Sequence, residues 1–172
     1  MKLDINKIKE YYKDEKNTAI VDVSLFIILI FSFHLLYLGW QHLNYFPIEG
    51  LVINLFDWAS TLLFNQSCWV LENIFRVDFI THDHIIGVLN TNDTYSLINV
   101  APECTSLKQW LHWLFLMILF PGPWRHKLWY IPCGLVIIEF INVFRVTGIT
   151  LCMIPFPDHF DFFHDYFFKT LF

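Results

Sequence analysis

Charged residues are scarce in this sequence: Asp, Glu, Lys and Arg make up 16% of the 172 residues, against roughly 25% in a typical soluble domain. Apolar residues make up 56%. A soluble domain of this length lacks the charge to hydrate its surface, and a disordered chain would expose too much apolar surface. The 11 Lys and Arg against 16 Asp and Glu form no basic stripe, which excludes nucleic acid as a partner. The composition therefore predicts an integral membrane protein.

The sequence also lacks a disulfide framework and a metal-binding motif. Its four cysteines are Cys68, Cys104, Cys133 and Cys152. They follow no motif spacing and form no CxxC pair, which excludes a thioredoxin-like redox pair and a structural zinc site. His82 and His84 would share one face of a strand, but no further ligands are evident beside them. We therefore expect neither a metal nor a cofactor.

Three apolar runs are long enough to cross a membrane. Val23–Trp40 carries no formal charge and would form a helix of about 27 Å, close to the thickness of the hydrocarbon core. Cys104–Trp124 and Leu128–Ile154 follow, joined by the basic turn Arg125–Lys127. Because short basic loops stay in the cytoplasm, the N-terminus and this turn should face inward and Cys104 outward.

Leu51–Phe75 has a helical period with a polar side chain at every third or fourth position. These polar residues are Asn54, Asp57, Thr61, Asn65, Cys68 and Glu72. The stripe is typical of an interfacial helix, a re-entrant helix or a helix lining a polar cavity, and an ordinary span is the simpler alternative. Since the first helix has already crossed to the outside, we favour an interfacial or re-entrant helix. Further on, Phe79–Ile86 and Tyr95–Val100 flank the turn-like Asn90–Asp93, which predicts a hairpin.

The predicted fold is thus an all-α integral membrane helical bundle with a small extracytoplasmic β-hairpin, forming a single membrane domain. Its segments are a cytoplasmic N-terminal segment (1–19), a transmembrane helix (20–41), an amphipathic or re-entrant helix (50–75), an outer loop with the hairpin (76–101), two transmembrane helices (102–124 and 128–154) and an outer aromatic tail (155–172).

Charges inside a span are functional candidates, because a charge there costs several kcal/mol. The last span carries Glu139, Asn142 and Arg145 at three-residue steps. Counting helical rises from the basic turn places Cys104 and Arg145 at nearly the same outer level. The dipole of a helix starting at Cys104, together with Lys108 and Arg145, would favour the nucleophilic thiolate. The alternatives are an inert buried cysteine and a structural Glu139–Arg145 network in a non-catalytic scaffold.

Cysteine catalysis also needs a general base. The outer tail holds two candidates, His159 and His164. The residues alone leave the choice between them open, because both lie on the same side of the membrane as Cys104 in the predicted topology.

Three separated motifs occur in a recognisable order. Cys104–Leu107 opens a predicted membrane helix, Asn142–Val146 lies late in the next, and Phe162–Asp165 follows. In this order they resemble the motifs of the exosortase/archaeosortase family, and most closely its short bacterial members, over roughly residues 20–168. The resemblance implies Cys104 as the nucleophile, Arg145 as the arginine of an Asn-x-x-Arg motif and His164 as the catalytic histidine.

The resemblance further implies an activity and its location. Family members are membrane cysteine proteases or transpeptidases that act on the C-terminal sorting signals of exported proteins, which combine a short motif, a hydrophobic helix and a basic tail. We therefore expect such proteins and membrane lipid as partners, in a bacterial cytoplasmic membrane with the active site on the extracytoplasmic face. Asn142, Glu139 and Lys108 are candidate substrate-binding or supporting residues. One departure is Ser106, where the family usually has glycine.

Overall fold

The computed structural model describes residues 15–159 and residue 162. Within them the chain is mostly helical with one small antiparallel sheet, as predicted. The elements are α1 (Glu15–His42), α2 (Glu49–Val70), which continues as a π-helical turn (Leu71–Phe75), β1 (Phe79–His82), β2 (Ile85–Leu89), β3 (Tyr95–Asn99), a 3-10 turn (Pro102–Cys104), α3 (Leu107–Leu119), α4 (Trp124–Cys152) and a second 3-10 turn (Pro157–His159).

Two helices in the described part of the chain are long and apolar enough to cross a membrane, namely Ala19–His42 within α1 and the whole of α4. On α1, large apolar side chains such as Phe31 and Leu35 are exposed, and an apolar surface of this size is typical of contact with lipid or another protein. α3 has 13 residues, a length of about 20 Å against roughly 30 Å of hydrocarbon. It is shorter than the span predicted over 102–124.

Local backbone preferences explain the short α3. Thr105 is extended, with φ −74° and ψ 158°, so the helix begins at Leu107 instead of Pro102. At the other end, Pro121 disfavours helical geometry at the residue before it, and Leu119 is the last helical residue. The prediction that Cys104 opens this helix is therefore wrong, because Cys104 lies three residues before it.

One compact unit comprises Leu111–Ile131 and the chain up to Phe46. Within it, Lys127 is buried at the start of α4. Its Nζ donates hydrogen bonds to the carbonyl oxygens of Phe120 at 2.7 Å and Ile118 at 3.3 Å. The last carbonyls of a helix have no helical partner, so this ammonium group satisfies the C-terminal end of α3.

The second compact unit comprises Pro47–Trp110 and the chain from Pro132 onward. Its core joins side chains of α2, the sheet and the end of α4. The buried members are Leu63, Leu71, Ile86, Val88, Ile98, Val100, Val146, Ile149 and Met153. The backbone N–H of Thr91 also donates to the carbonyl oxygen of Ile154 at 3.1 Å. The sheet is thereby held against the last turns of α4, the part that carries Arg145.

The sheet has three strands in the order β1-β2-β3, all antiparallel. The predicted hairpin around Asn90–Asp93 is present as β2 and β3, and β1 adds a third strand that was not predicted. The run Phe79–Ile86 contains a reversal at Asp83, whose φ of 52° is left-handed, a conformation that Asp adopts more readily than most residues. His82 ends β1 and His84 lies in the turn, so the two histidines do not share a strand. The turn predicted at Asn90–Asp93 does connect β2 to β3.

Candidate active site

Cys104 lies in a tightly bonded segment between β3 and α3. Its backbone N–H donates to the carbonyl oxygen of Ala101 at 2.9 Å. The Thr105 hydroxyl donates to the carbonyl oxygen of Pro102 at 2.7 Å. The ring of Pro102 restricts its φ to a value that suits the start of the 3-10 turn. Thr105 and the following Ser106 are buried, while Cys104 is half-buried, so the segment is fixed and its cysteine keeps partial access.

Asn142 connects this segment to α4. Its side chain is fully buried, and its Nδ2 donates to the backbone carbonyl oxygen of Cys104 at 3.0 Å. Only the amide nitrogen can donate to a carbonyl, so this contact also defines the orientation of the amide group. Asn142 is thus positioned to hold the Cys104 backbone.

Cys104 and Arg145 line one small cavity of about 40 Å³. Asn99 and Val100, at the end of β3, form another part of its wall. A single water molecule needs a cavity of about 10–15 Å³. The cavity therefore has room for a few small polar groups but is too small for a peptide segment. The structure therefore brings the predicted nucleophile and the predicted arginine together, beside a space about the size of a carbonyl group and one or two waters.

Glu139 lies in a different place. It lines a larger groove of about 610 Å³ between α2 and α4, together with Asn65, Gln66 and Phe140. Its carboxylate is also beside the hydroxyl of Ser106. Glu139 and Arg145 thus line separate cavities, although both belong to the polar face predicted from their spacing. The reason is geometric: six residues along a helix correspond to about 600° of rotation, which points the two side chains in different directions.

The remaining predicted residues are spread over the chain. Lys108 is half-buried in the first turn of α3. His159 is exposed at the end of the second 3-10 turn, while His164 lies outside the described residues. Asp57 and Glu72, which belong to the predicted polar stripe, are exposed on α2 and its π-helical turn.

The other cysteines have different surroundings. Cys68 is half-buried on α2, outside the two candidate spans. Burial raises the pKa of its thiol, and the nearby Glu72 carboxylate raises it further, so Cys68 remains an unreactive thiol at neutral pH. Cys133 is exposed on α4 and Cys152 is half-buried at its end. Of the four, Cys104 is the one that lines the cavity with Arg145.

Sequence patterns missed two parts of this arrangement. Asn99 at the end of β3 and the following Val100 line the cavity, and the Ser106 hydroxyl lies near the Glu139 carboxylate. The position of Asn99 and Val100 near Cys104 could have been found from the sequence. Pro102 favours a turn there, and only two residues separate β3 from the 3-10 turn that ends at Cys104. No spacing in the sequence pointed to the second contact, since it depends on how α4 packs.

The whole of this site lies within a stretch that matches a known family. The family model described as transmembrane exosortase matches residues 15–167, which is well over half of the 172 residues. No curated protein and no solved structure gives a significant match. The matched range includes Cys104, Asn142, Arg145 and His164, the positions that carried the resemblance in the sequence. The chain therefore belongs to the transmembrane exosortase family.

Proposed function

We propose that this protein is a membrane cysteine protease or transpeptidase that cleaves the C-terminal sorting signals of exported proteins. The observation that carries the proposal is the shared cavity of Cys104 and Arg145, with Asn142 bonded to the Cys104 backbone. A half-buried thiol, a guanidinium group and a fixed backbone are the parts that acyl transfer to cysteine requires. The proposed site faces the outer side of a bacterial cytoplasmic membrane.

The proposed reaction has two steps. The Cys104 sulfur attacks the scissile carbonyl as His164 accepts the thiol proton, and the C–N bond breaks. The leaving amine takes that proton, and the N-terminal part of the substrate remains as a thioester on Cys104. Water or an amine-bearing acceptor then attacks the thioester, releases the Cys104 thiol and gives either hydrolysis or transfer. The role of His164 comes from the family resemblance.

Arg145 is suited to stabilise the negative charge that develops on the carbonyl oxygen. Its planar guanidinium group offers several N–H donors in a fixed arrangement, and preorganised donors near a developing oxyanion are a major source of catalysis. The cavity that it shares with Cys104 has room for an oxygen atom of this kind. Arg145 would therefore bind the transition state more tightly than the planar substrate carbonyl.

The rival hypothesis is a non-catalytic membrane scaffold held together by a Glu139–Arg145 network. The separate cavities of Glu139 and Arg145 do not favour such a network. The position of Arg145 beside the predicted nucleophile instead favours a role in catalysis.

The test compares the C-termini of exported proteins in cells that carry wild-type protein, Cys104→Ala or Cys133→Ala. We expect a set of proteins with a common tail motif to retain their hydrophobic tails only with Cys104→Ala. Cys133→Ala is the matched control, because Cys133 is an exposed cysteine on α4 that does not line the cavity. Equal tail processing in all three strains, at equal protein levels in the membrane, would contradict the proposal.

A further inference from the structure

The groove between α2 and α4 has a composition that points to its occupant. Its walls are mostly apolar, with Trp69, Ile74 and Phe140 among them, and its volume of about 610 Å³ falls in the range of occupied binding sites. Three polar side chains interrupt this apolar lining: Asn65, which is exposed, and Gln66 and Glu139, which are half-buried. The Glu139 carboxylate and the side-chain oxygen of Gln66 are hydrogen-bond acceptors.

These acceptors call for a hydrogen-bond donor. Gln66 Oε1 is buried and accepts no hydrogen bond from any residue that the structure describes. The Glu139 carboxylate has the Ser106 hydroxyl beside it, which leaves further lone pairs of its two oxygens available. Acceptors in apolar surroundings are costly unless they are paired. Acyl chains of lipids carry no donor, whereas an apolar helix with one hydroxyl, amide or amino side chain supplies it.

The groove also lies next to the cysteine site along α4. Val143 lines the groove, while Arg145 and Val146 on the next part of α4 line the Cys104 cavity. The hydroxyl of Ser106, two residues after Cys104, lies near the groove carboxylate. Since the Cys104 cavity excludes a peptide segment, a polypeptide cleaved at Cys104 must lie mainly outside it. The groove is an adjacent surface with space for a polypeptide.

We infer that this groove docks the hydrophobic helix of the substrate's sorting signal and that Glu139 and Gln66 recognise a donor side chain on that helix. The inference rests on the proposed function and adds the place and chemistry of substrate recognition. Glu139 precedes Arg145 by six residues, about 9 Å along α4. The donor therefore lies about three residues beyond the scissile bond if that part of the substrate is extended, and about six if it is helical.

The test uses a matched pair of substitutions on α4. Val136→Trp fills the groove, while Ile137→Trp adds the same side chain at a neighbouring exposed position that does not line it. The substrate is a tail-bearing protein found in the Cys104→Ala comparison, and the assay is its rate of tail removal in membranes. We expect Val136→Trp to slow processing on the order of 100-fold, as for a misplaced substrate, and Ile137→Trp to leave it near the wild-type rate.

A second measurement separates docking from folding. Alkylation of Cys104 by iodoacetamide, followed by mass spectrometry of its peptide, reports whether the cysteine site is intact. The inference expects equal Cys104 alkylation in wild type, Val136→Trp and Ile137→Trp, because the reagent is small and does not need the groove. Slow processing combined with lost alkylation in Val136→Trp alone would indicate a damaged fold and would overturn docking as the cause.

The donor is tested by a double-mutant cycle. Replacing the substrate's donor side chain with leucine should slow tail removal by wild-type protein at least about tenfold, and should have little further effect in Glu139→Leu, because the two groups interact with each other. Equal effects in both backgrounds would overturn the assignment of Glu139.

The outcomes distinguish the two proposals. If Cys104→Ala leaves every tail processed, the proposed function fails and the docking inference fails with it. If Cys104→Ala blocks processing while Val136→Trp and Ile137→Trp behave alike, the proposed function stands and the docking inference is overturned. If Val136→Trp only displaces co-purified phospholipid and processing is unchanged, the groove is a lipid site and the inference is likewise overturned.

Discussion

Substitution of Asn142 with leucine tests the link between α4 and the cysteine segment. Leucine has a similar size but cannot donate a hydrogen bond, so the 3.0 Å contact from Asn142 Nδ2 to the Cys104 carbonyl oxygen disappears. Asn142 is fully buried, while Cys104 is half-buried. The Cys104 carbonyl then loses its donor on α4, and the segment that carries the cysteine loses its tie to the helix.

The expected size of the effect follows from that contact. A typical hydrogen bond contributes about 0.5–1.5 kcal/mol to stability, so Asn142→Leu should lower the thermal stability of the protein measurably. The effect on activity should be larger, because a displacement of about 1 Å at a reacting group costs on the order of 100-fold in rate. We expect the initial rate of tail removal to fall by about that factor.

Thr150→Val is the matched control. Thr150 is also fully buried on α4, but its hydroxyl donates at 2.9 Å to the carbonyl oxygen of Val146 in its own helix. This substitution should cost at most about 1 kcal/mol and leave Cys104 in place. Thermal denaturation and tail removal are measured for both variants in the same membranes. Equal processing rates for Asn142→Leu and Thr150→Val would refute a positioning role for Asn142.

Three further predictions concern other parts of the chain. Arg145→Lys should keep wild-type protein levels but slow tail removal at least about tenfold, because a lysine lacks the planar donor set of arginine; an unchanged rate would favour the scaffold. Gly87→Ala should lower the melting temperature, since the added Cβ would lie 2.8 Å from Ile80 Cγ1; equal melting curves would contradict this. Lys127→Met should also destabilise the protein by about 1.5–3 kcal/mol, because the charged hydrogen bond to the Phe120 carbonyl oxygen is lost. The fraction of folded protein recovered from membranes after heating measures this loss of stability.

Much of the helical framework could be predicted from composition and period. The span predicted at 20–41 lies within α1, and that at 128–154 corresponds to α4. Long apolar runs form helices in lipid because every backbone group must bond within its own segment. The segment before α3 was harder to predict, since the extended backbone of Thr105 is a local choice between two allowed conformations. That choice moved the helix start from Pro102 to Leu107.

The sheet shows a similar division. The turn at Asn90–Asp93 could be predicted because Asn and Asp side chains bond to nearby backbone groups, and Asn90 Oδ1 accepts the N–H groups of Asn92 at 2.9 Å and Thr94 at 3.2 Å. The reversal at Asp83 could not be predicted, because the surrounding run has the composition of an uninterrupted strand. β1 ends at His82 because all four of its residues pair with β2, which runs in the opposite direction.

For the site, the sequence by itself determined which residues were candidates, through the order of the motifs. Counting helical rises predicted that Cys104 and Arg145 are neighbours, and they do line one cavity, although the count assumed a helix from Cys104 and α3 begins at Leu107. Only the tertiary structure decided that Asn142 bonds to Cys104 and that Glu139 lines a separate groove. Those contacts join residues more than thirty positions apart, and they depend on the rotation and packing of α4 against α2 and the sheet, which no local pattern encodes.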